Sequence, residues 1–308
     1  VNTYKNQEVW RKLQKHLPKH NRITDQYYPK EESWNWQGNN IHLDRYPNKL
    51  SDKKIILLHG GGGNGRLLSF IGVPLYKNGF EVISPDLPGY GVSVINEEMI
   101  VYNMWVHLVN DLINKELKKD NRPIVLAGFS IGGMLAYHSA CVNKNISGLV
   151  ATNLLDQRIQ KVRDSLALNK YISRMGLQIL KLLDKVNGNI KLPMKFVANM
   201  KEIVNKEEIL RLIIKDETGA GNKVNLRYLT SYLDYEPTIE PENFDICPVL
   251  LAHPAQDEWT DLKLSKLFYD KLKCKKELKI LDKAGHFPVE TPGLNQLEEY
   301  TVEFINQL

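Results

Sequence analysis

Apolar residues along this chain follow two rhythms. Short continuous runs (Ile55 to Leu58, Phe80 to Ser84, Pro123 to Ala127, Ile146 to Ala151, Pro248 to Ala252 and Leu278 to Leu281) are separated by longer stretches in which apolar side chains recur at helical spacing. Runs of Ile, Val and Leu without polar alternation suit strands buried on both faces, and parallel neighbours need crossovers of helical length between them. The pattern predicts an α/β fold, with a mostly parallel sheet covered by helices. Ahead of it, after a polar N-terminal helix, Trp34 to Trp36 and Ile41 to Leu43 flank a Gly38-Asn39-Asn40 turn signal, which predicts an antiparallel hairpin.

The strand rhythm stops between about Leu155 and Asn243. Met175, Ile179, Leu180 and Leu183 form a stripe at helical spacing there, and no strand-like run intervenes, so an all-helical insertion is expected. The expected division is a core of residues 1–154 and 244–308 with a lid of residues 155–243. Such an insertion is expected to enter and leave at the carboxyl edge of the sheet and to wall any site there. Met175, Met194 and Met200 suit an adaptable apolar pocket, although core packing is the commoner use of methionine.

Composition narrows the partners. With 308 residues, 43% of them apolar, the chain is long enough for one large core with an inserted subdomain. The net charge of +5 is scattered rather than gathered into a stripe, which argues against a nucleic-acid partner. Cys141, Cys247 and Cys274 lack metal-ligand spacing, and their odd number argues against a disulfide framework, so a reducing cytoplasm is expected. No apolar run is long enough to span a bilayer, and the start from Tyr4 to Glu8 has no signal-peptide core.

The strongest chemical signal is Gly128-Phe129-Ser130-Ile131-Gly132, placed between an apolar strand run and a helical one. A nucleophile on a tight strand-to-helix turn needs small residues two positions to either side, because the strained backbone leaves no room for a side chain. Upstream, His59-Gly60-Gly61-Gly62-Gly63 ends the first buried strand. Backbone N–H groups freed by glycines can stabilise a developing oxyanion, so Gly61 or Gly62 is expected to act with the N–H of Ile131.

A serine needs a base, and His286 lies on the loop after the last buried strand. Loops at the carboxyl ends of parallel strands are where such sheets gather catalytic groups. Asp257, shortly after the preceding strand, is the expected acid that orients the imidazole; Glu258, Asp261 and Asp156 are rivals. The same glycines permit a second reading. Gly60, Gly62 and Gly65 match a dinucleotide fingerprint, with Asp86 where a ribose-binding acid belongs. A phosphate loop is excluded, because Arg66 and Leu67 replace the lysine and hydroxyl it requires.

The order nucleophile, acid, histidine is that of the alpha/beta-hydrolase triad. The sequence resembles the alpha/beta-hydrolase superfamily over nearly its whole length. The resemblance rests on His59 to Gly63, Asp86-Leu87-Pro88-Gly89-Tyr90-Gly91-Val92-Ser93, the Ser130 elbow, the Asp257 loop and Gly285-His286. It implies the alpha/beta-hydrolase fold and excludes the dehalogenases and epoxide hydrolases of that fold, which carry aspartate at the elbow. Pro254 departs from the glycine common in the acid loop, and Trp259 reads as packing. The expected activity is cleavage of a carboxylic ester or thioester with an apolar acyl group through an acyl-enzyme, without a cofactor. The alternative is a non-catalytic or nucleotide-binding protein using the Gly60 to Gly65 loop.

Overall fold

The computed structural model describes residues 2–168 and 170–308. The hairpin forms strands β1 (Lys30–Trp36) and β2 (Asn39–Tyr46), and the apolar runs become β3 (Lys54–Leu58), β4 (Glu81–Pro85), β5 (Ile124–Gly128) and β6 (Gly148–Ala151). A separate two-stranded ribbon follows, β7 (Lys191–Pro193) and β8 (Lys223–Asn225), and β9 (Val249–Pro254) and β10 (Lys276–Leu281) complete the main sheet. Its order is β1-β2-β4-β3-β5-β6-β9-β10. The two pairings of β2 are antiparallel and every pairing from β4 to β10 is parallel. Every residue of β3, β4, β5, β6 and β9 is buried, as continuous apolar runs demand, whereas the edge strand β10 buries only Leu281.

The helices are α1 (Val9–Gln14), α2 (Ser69–Lys77), α3 (Tyr102–Asp120), α4 (Ile131–Asn143), α5 (Gln160–Leu166), α6 (Lys170–Asn187), α7 (Met194–Val197), α8 (Glu207–Lys215), α9 (Leu226–Leu233), α10 (Leu262–Tyr269) and α11 (Gly293–Asn306). α5 to α9 all fall between β6 and β9.

Several expectations are corrected. The hairpin reverses at Gln37-Gly38 rather than at Gly38-Asn39-Asn40: both residues have positive φ (51° and 80°), as a two-residue turn of the primed type requires, and Trp36 pairs with Asn39. The insertion is not all helical, because Leu192 and Val224 sit opposite one another in the β7–β8 ribbon. A three-residue strand is too short to leave a periodicity signal. Nor does the insertion return at the carboxyl edge. β9 is parallel to β6, so the chain must cross back to the amino end, and it does so along α4, where the Tyr137 hydroxyl donates to Ile239 O at 2.7 Å. On α6, Ile179 and Leu183 are exposed. Leu180 of the expected stripe does face inward, where it is joined by Leu177. The side chain of Met175 is outside the described residues.

At the antiparallel end, the N-terminal segment packs over β1 and β2. The fully buried Arg66 pairs with Asp44, and its guanidinium lies 4.6 Å and 4.7 Å from the ring centres of Tyr4 and Trp10. α1 is therefore less polar in practice than its sequence reads, since Trp10 and Leu13 are buried.

Candidate active site

β5 ends at Gly128 and α4 begins at Ile131, so two residues make the reversal. Ser130 occupies it with φ 56° and ψ −124°, a conformation costly for a non-glycine residue and one that pushes its side chain out of the turn. A Cβ at Gly128 would stand 2.0 Å from Gly132 O, and one at Gly132 would stand 2.2 Å from Leu58 O. Gly133 is equally restricted, since its Cβ would meet Asn153 O at 2.1 Å. The flanking glycines are thus a steric condition of the elbow.

The loop after β10 brings His286 to this turn, and the loop after β9 brings Asp257 behind it. His286 Nε2 lies 2.8 Å from Ser130 Oγ, and Nδ1 lies 2.8 Å from Asp257 Oδ2. With the carboxylate accepting from Nδ1–H, Nε2 is left to accept the serine proton. The Asp257 carboxylate takes four further bonds. Oδ1 accepts from the N–H groups of Trp259 (3.1 Å) and Thr260 (2.7 Å), and Oδ2 from Thr260 Oγ1 (2.7 Å) and Asn153 Nδ2 (3.0 Å). Burial alone would push this carboxyl up, but the His286 ring and the Thr260 donors outweigh it and hold it at about 2.

The rivals stand elsewhere. Glu258 is exposed, Asp261 caps α10 through the N–H of Lys263, and Asp156 pairs with Arg158. Pro254 is the last residue of β9, paired with Leu281, so the strand runs two residues past the end of the apolar run at Ala252.

Both candidate oxyanion glycines line a small cavity shared with Ser130 and His286, and Gly61 also lines the main cavity with Ser130 and Ile131. Gly62, with φ 77°, packs toward Ala220 and Met200, and its N–H acts on the Tyr90 hydroxyl, which burial pushes up to about 12. The main cavity has a volume of about 320 Å³, at the small end for an organic ligand. Gly61, Tyr90, Ser130, Ile131 and Trp259 line its base, and the rest of the wall comes from residues between Arg163 and Leu233, among them Leu180, Met194 and Val224. Met200 stands under the glycine loop and is not part of this wall.

Sequence reasoning missed Thr152, Asn153 and Thr260. Thr152 Oγ1 accepts from the N–H of Ser130 at 3.2 Å and donates to Asn153 Oδ1 at 2.9 Å; Asn153 in turn reaches Asp257. For Thr152 and Asn153, the position just past the end of β6 was the available signal; Thr260, six residues beyond β9, had none. Trp259 is also more than packing, because its ring borders the cavity 4.8 Å from that of His286.

The dinucleotide reading meets a geometric obstacle: Asp86 is fully buried, with both carboxylate oxygens already bonded within the protein. Among the described residues, no helix is long and apolar enough to cross a membrane.

The Hydrolase_4 family model, described as serine aminopeptidase, S33, matches residues 50–290. No curated protein matches the sequence significantly. Among solved structures, a soluble variant of monoglyceride lipase from Saccharomyces cerevisiae is 20% identical, with a TM-score of 0.77, covering 94% of this chain and 98% of that one. The monoacylglycerol lipase of Paleococcus ferrophilus is 18% identical, with a TM-score of 0.68 and coverage of 86% and 97%. Est1E from Butyrivibrio proteoclasticus, solved with ferulic acid, is 20% identical, with a TM-score of 0.61 and coverage of 90% and 98%. With a family model spanning most of its length and a sheet of this order, the chain belongs to the S33 serine aminopeptidase family of alpha/beta hydrolases.

Proposed function

We propose that this hydrolase cleaves carboxylic esters of small to medium apolar acyl groups through Ser130, His286 and Asp257. The observation that carries this reading is the pair of 2.8 Å contacts joining the three side chains at the base of a largely apolar cavity. Ser130 Oγ attacks the ester carbonyl while His286 Nε2 takes its proton, and Asp257 stabilises the imidazolium that results. The N–H groups of Ile131 and Gly61 receive the oxyanion. His286 then returns the proton to the leaving alkoxide; a water molecule that gives its proton to the same Nε2 attacks the acyl-enzyme, and His286 passes that proton to Ser130 Oγ as the carboxylic acid departs.

Esters are favoured over peptides on the same grounds. The cavity wall is mostly aliphatic and aromatic, and among its described lining residues none is acidic, so nothing there would hold the amino terminus of a peptide. The monoglyceride and monoacylglycerol lipases of similar fold support the same reading. Thioesters share the acyl chemistry and are a secondary substrate class. The inserted segment, residues 155–243, acts as the lid, because it supplies most of the wall.

The test is a fluorophosphonate probe combined with a panel of p-nitrophenyl esters from acetate to palmitate. Labelling confined to Ser130, with turnover that peaks below the longest chains, is the expected result. Absence of labelling, or hydrolysis of aminoacyl amides in preference to every ester, overturns the assignment.

A further inference from the structure

Asp86 follows β4 directly, with a fully buried carboxylate that takes no part in the Ser130–His286–Asp257 hydrogen bonds. Oδ1 accepts from the N–H of Gly65 at 2.7 Å and from the Tyr4 hydroxyl at 3.0 Å. Oδ2 accepts from the N–H of Val92 at 2.8 Å and from the same hydroxyl at 2.9 Å. Gly65 closes the glycine loop that His59 opens, and the opening is tied to the same stretch: the N–H of Leu87 donates to His59 Nε2 at 3.0 Å. Ser84 Oγ adds a bond to Gly65 O at 3.1 Å. Both ends of the loop that carries Gly61 therefore hang on residues 84–87.

The space around this carboxylate is full. A Cβ at Gly91, where φ is 64°, would fall 2.0 Å from Asp86 Oδ2, and one at Gly65 would fall 2.6 Å from Ser84 O. Glycine at both positions lets two backbone N–H groups reach one carboxylate. The charged and titratable groups facing it are Tyr4 from the N-terminal segment and His42 and Asp44 from β2, with Arg66 and Glu31 behind them. Burial pushes the Asp86 carboxyl up to about 6; His42 and the N–H groups of Val92 and Gly65 oppose the rise, and Asp44 adds to it.

Building on the esterase reading above, we propose that Asp86 is a positioning residue for the oxyanion loop, and that Tyr4 brings the N-terminal segment into the machinery by completing the shell of that carboxylate. A donor to an oxyanion is worth roughly 10²–10³ in rate, so a loop that shifts by a fraction of an ångström forfeits part of that factor. Tyr4 is suited to control such a shift, because one hydroxyl spans both oxygens of the carboxylate.

The experiment is Tyr4→Phe in the full chain, with Tyr27→Phe, a tyrosine of the same segment that does not reach Asp86, as the control. For a short p-nitrophenyl ester, kcat of Tyr4→Phe should fall about tenfold with KM within about twofold. Affinity for a trifluoromethyl ketone, whose serine adduct places an oxyanion on the same N–H groups, should fall by a similar factor. The acid limb of the kcat profile should move to higher pH, because removing a donor favours the neutral carboxyl. Tyr27→Phe should match the wild type in all three. Asp86→Asn, which turns one acceptor into a donor, should change kcat and ketone affinity in the same direction and further. A Tyr4→Phe protein that melts at lower temperature but keeps wild-type kcat, ketone affinity and pH profile overturns this proposal alone. A wild-type protein without Ser130-dependent turnover or labelling overturns the esterase reading and this proposal with it.

Discussion

Asp257→Asn tests the site at the point where geometry and electrostatics make the same demand. The wild-type carboxylate accepts five bonds, two on Oδ1 from backbone N–H groups and three on Oδ2 from Thr260, Asn153 and His286. An asparagine can keep its oxygen toward the backbone pair, but its amide then faces three donors. Relief comes if the imidazole gives up its Nδ1 proton and accepts from the amide. That tautomer carries its proton on Nε2 and can no longer take one from Ser130, so kcat should fall by about 10⁴, or roughly 5.5 kcal/mol of transition-state stabilisation. The loss should be smaller than for Ser130 or His286, because the acid makes no bond to substrate. Stability supplies an independent reading. The Asp257 carboxyl sits at about 2, below its ordinary 3.8, so the ionised form carries stability that is fully present above pH 3.8 and is lost as pH falls through about 2. From that shift, the contribution is roughly 2–3 kcal/mol. Urea denaturation of the wild type and the variant should therefore differ at pH 7 and converge toward pH 2. Steady-state ester hydrolysis and the rate of fluorophosphonate labelling should fall by similar factors, since both need the same base. A variant that keeps more than a tenth of wild-type kcat would show that Asp257 does not orient His286.

Ser130→Ala and His286→Ala should each lower ester turnover by about five to six orders of magnitude while leaving the melting temperature near wild type; residual turnover above a tenth in either would remove that residue from the chemistry. Gly128→Ala should destabilise the protein by about 3 kcal/mol or more by urea titration, because its Cβ would lie 2.0 Å from Gly132 O, and a near-neutral result would mean that the elbow is softer than its geometry implies. Leu180→Trp, which adds bulk to the cavity wall, should lower kcat/KM for octanoate esters at least tenfold relative to acetate esters, with Ser130 labelling unchanged. An unaltered chain-length profile would place the acyl group elsewhere.

How much of this protein was legible along the chain differs from one element to the next, and the differences have physical causes. Five of the six apolar runs could be read as strands because burial on both faces removes polar alternation; the sixth became the edge strand β10, which buries only Leu281. The elbow could be read because its condition is steric and local: Gly128 and Gly132 flank Ser130 within five residues, and nothing distant alters the clash a Cβ would make. His286 and Asp257 were legible as loop positions after strands, since the parallel sheet collects such loops at one edge. Tertiary structure decided everything that depends on which distant segments meet. It turned Gly62 toward Ala220, joined Asp257 to His286 while giving Asp156 to Arg158, and brought onto the Asp257 carboxylate Asn153 and Thr260, whose polar side chains carry no signal until Asp257 stands beside them. It also turned Ile179 and Leu183 outward and formed the β7–β8 ribbon, because amphipathic spacing records that a helix has an apolar stripe but not what covers it, and three-residue strands exist only through their pairing.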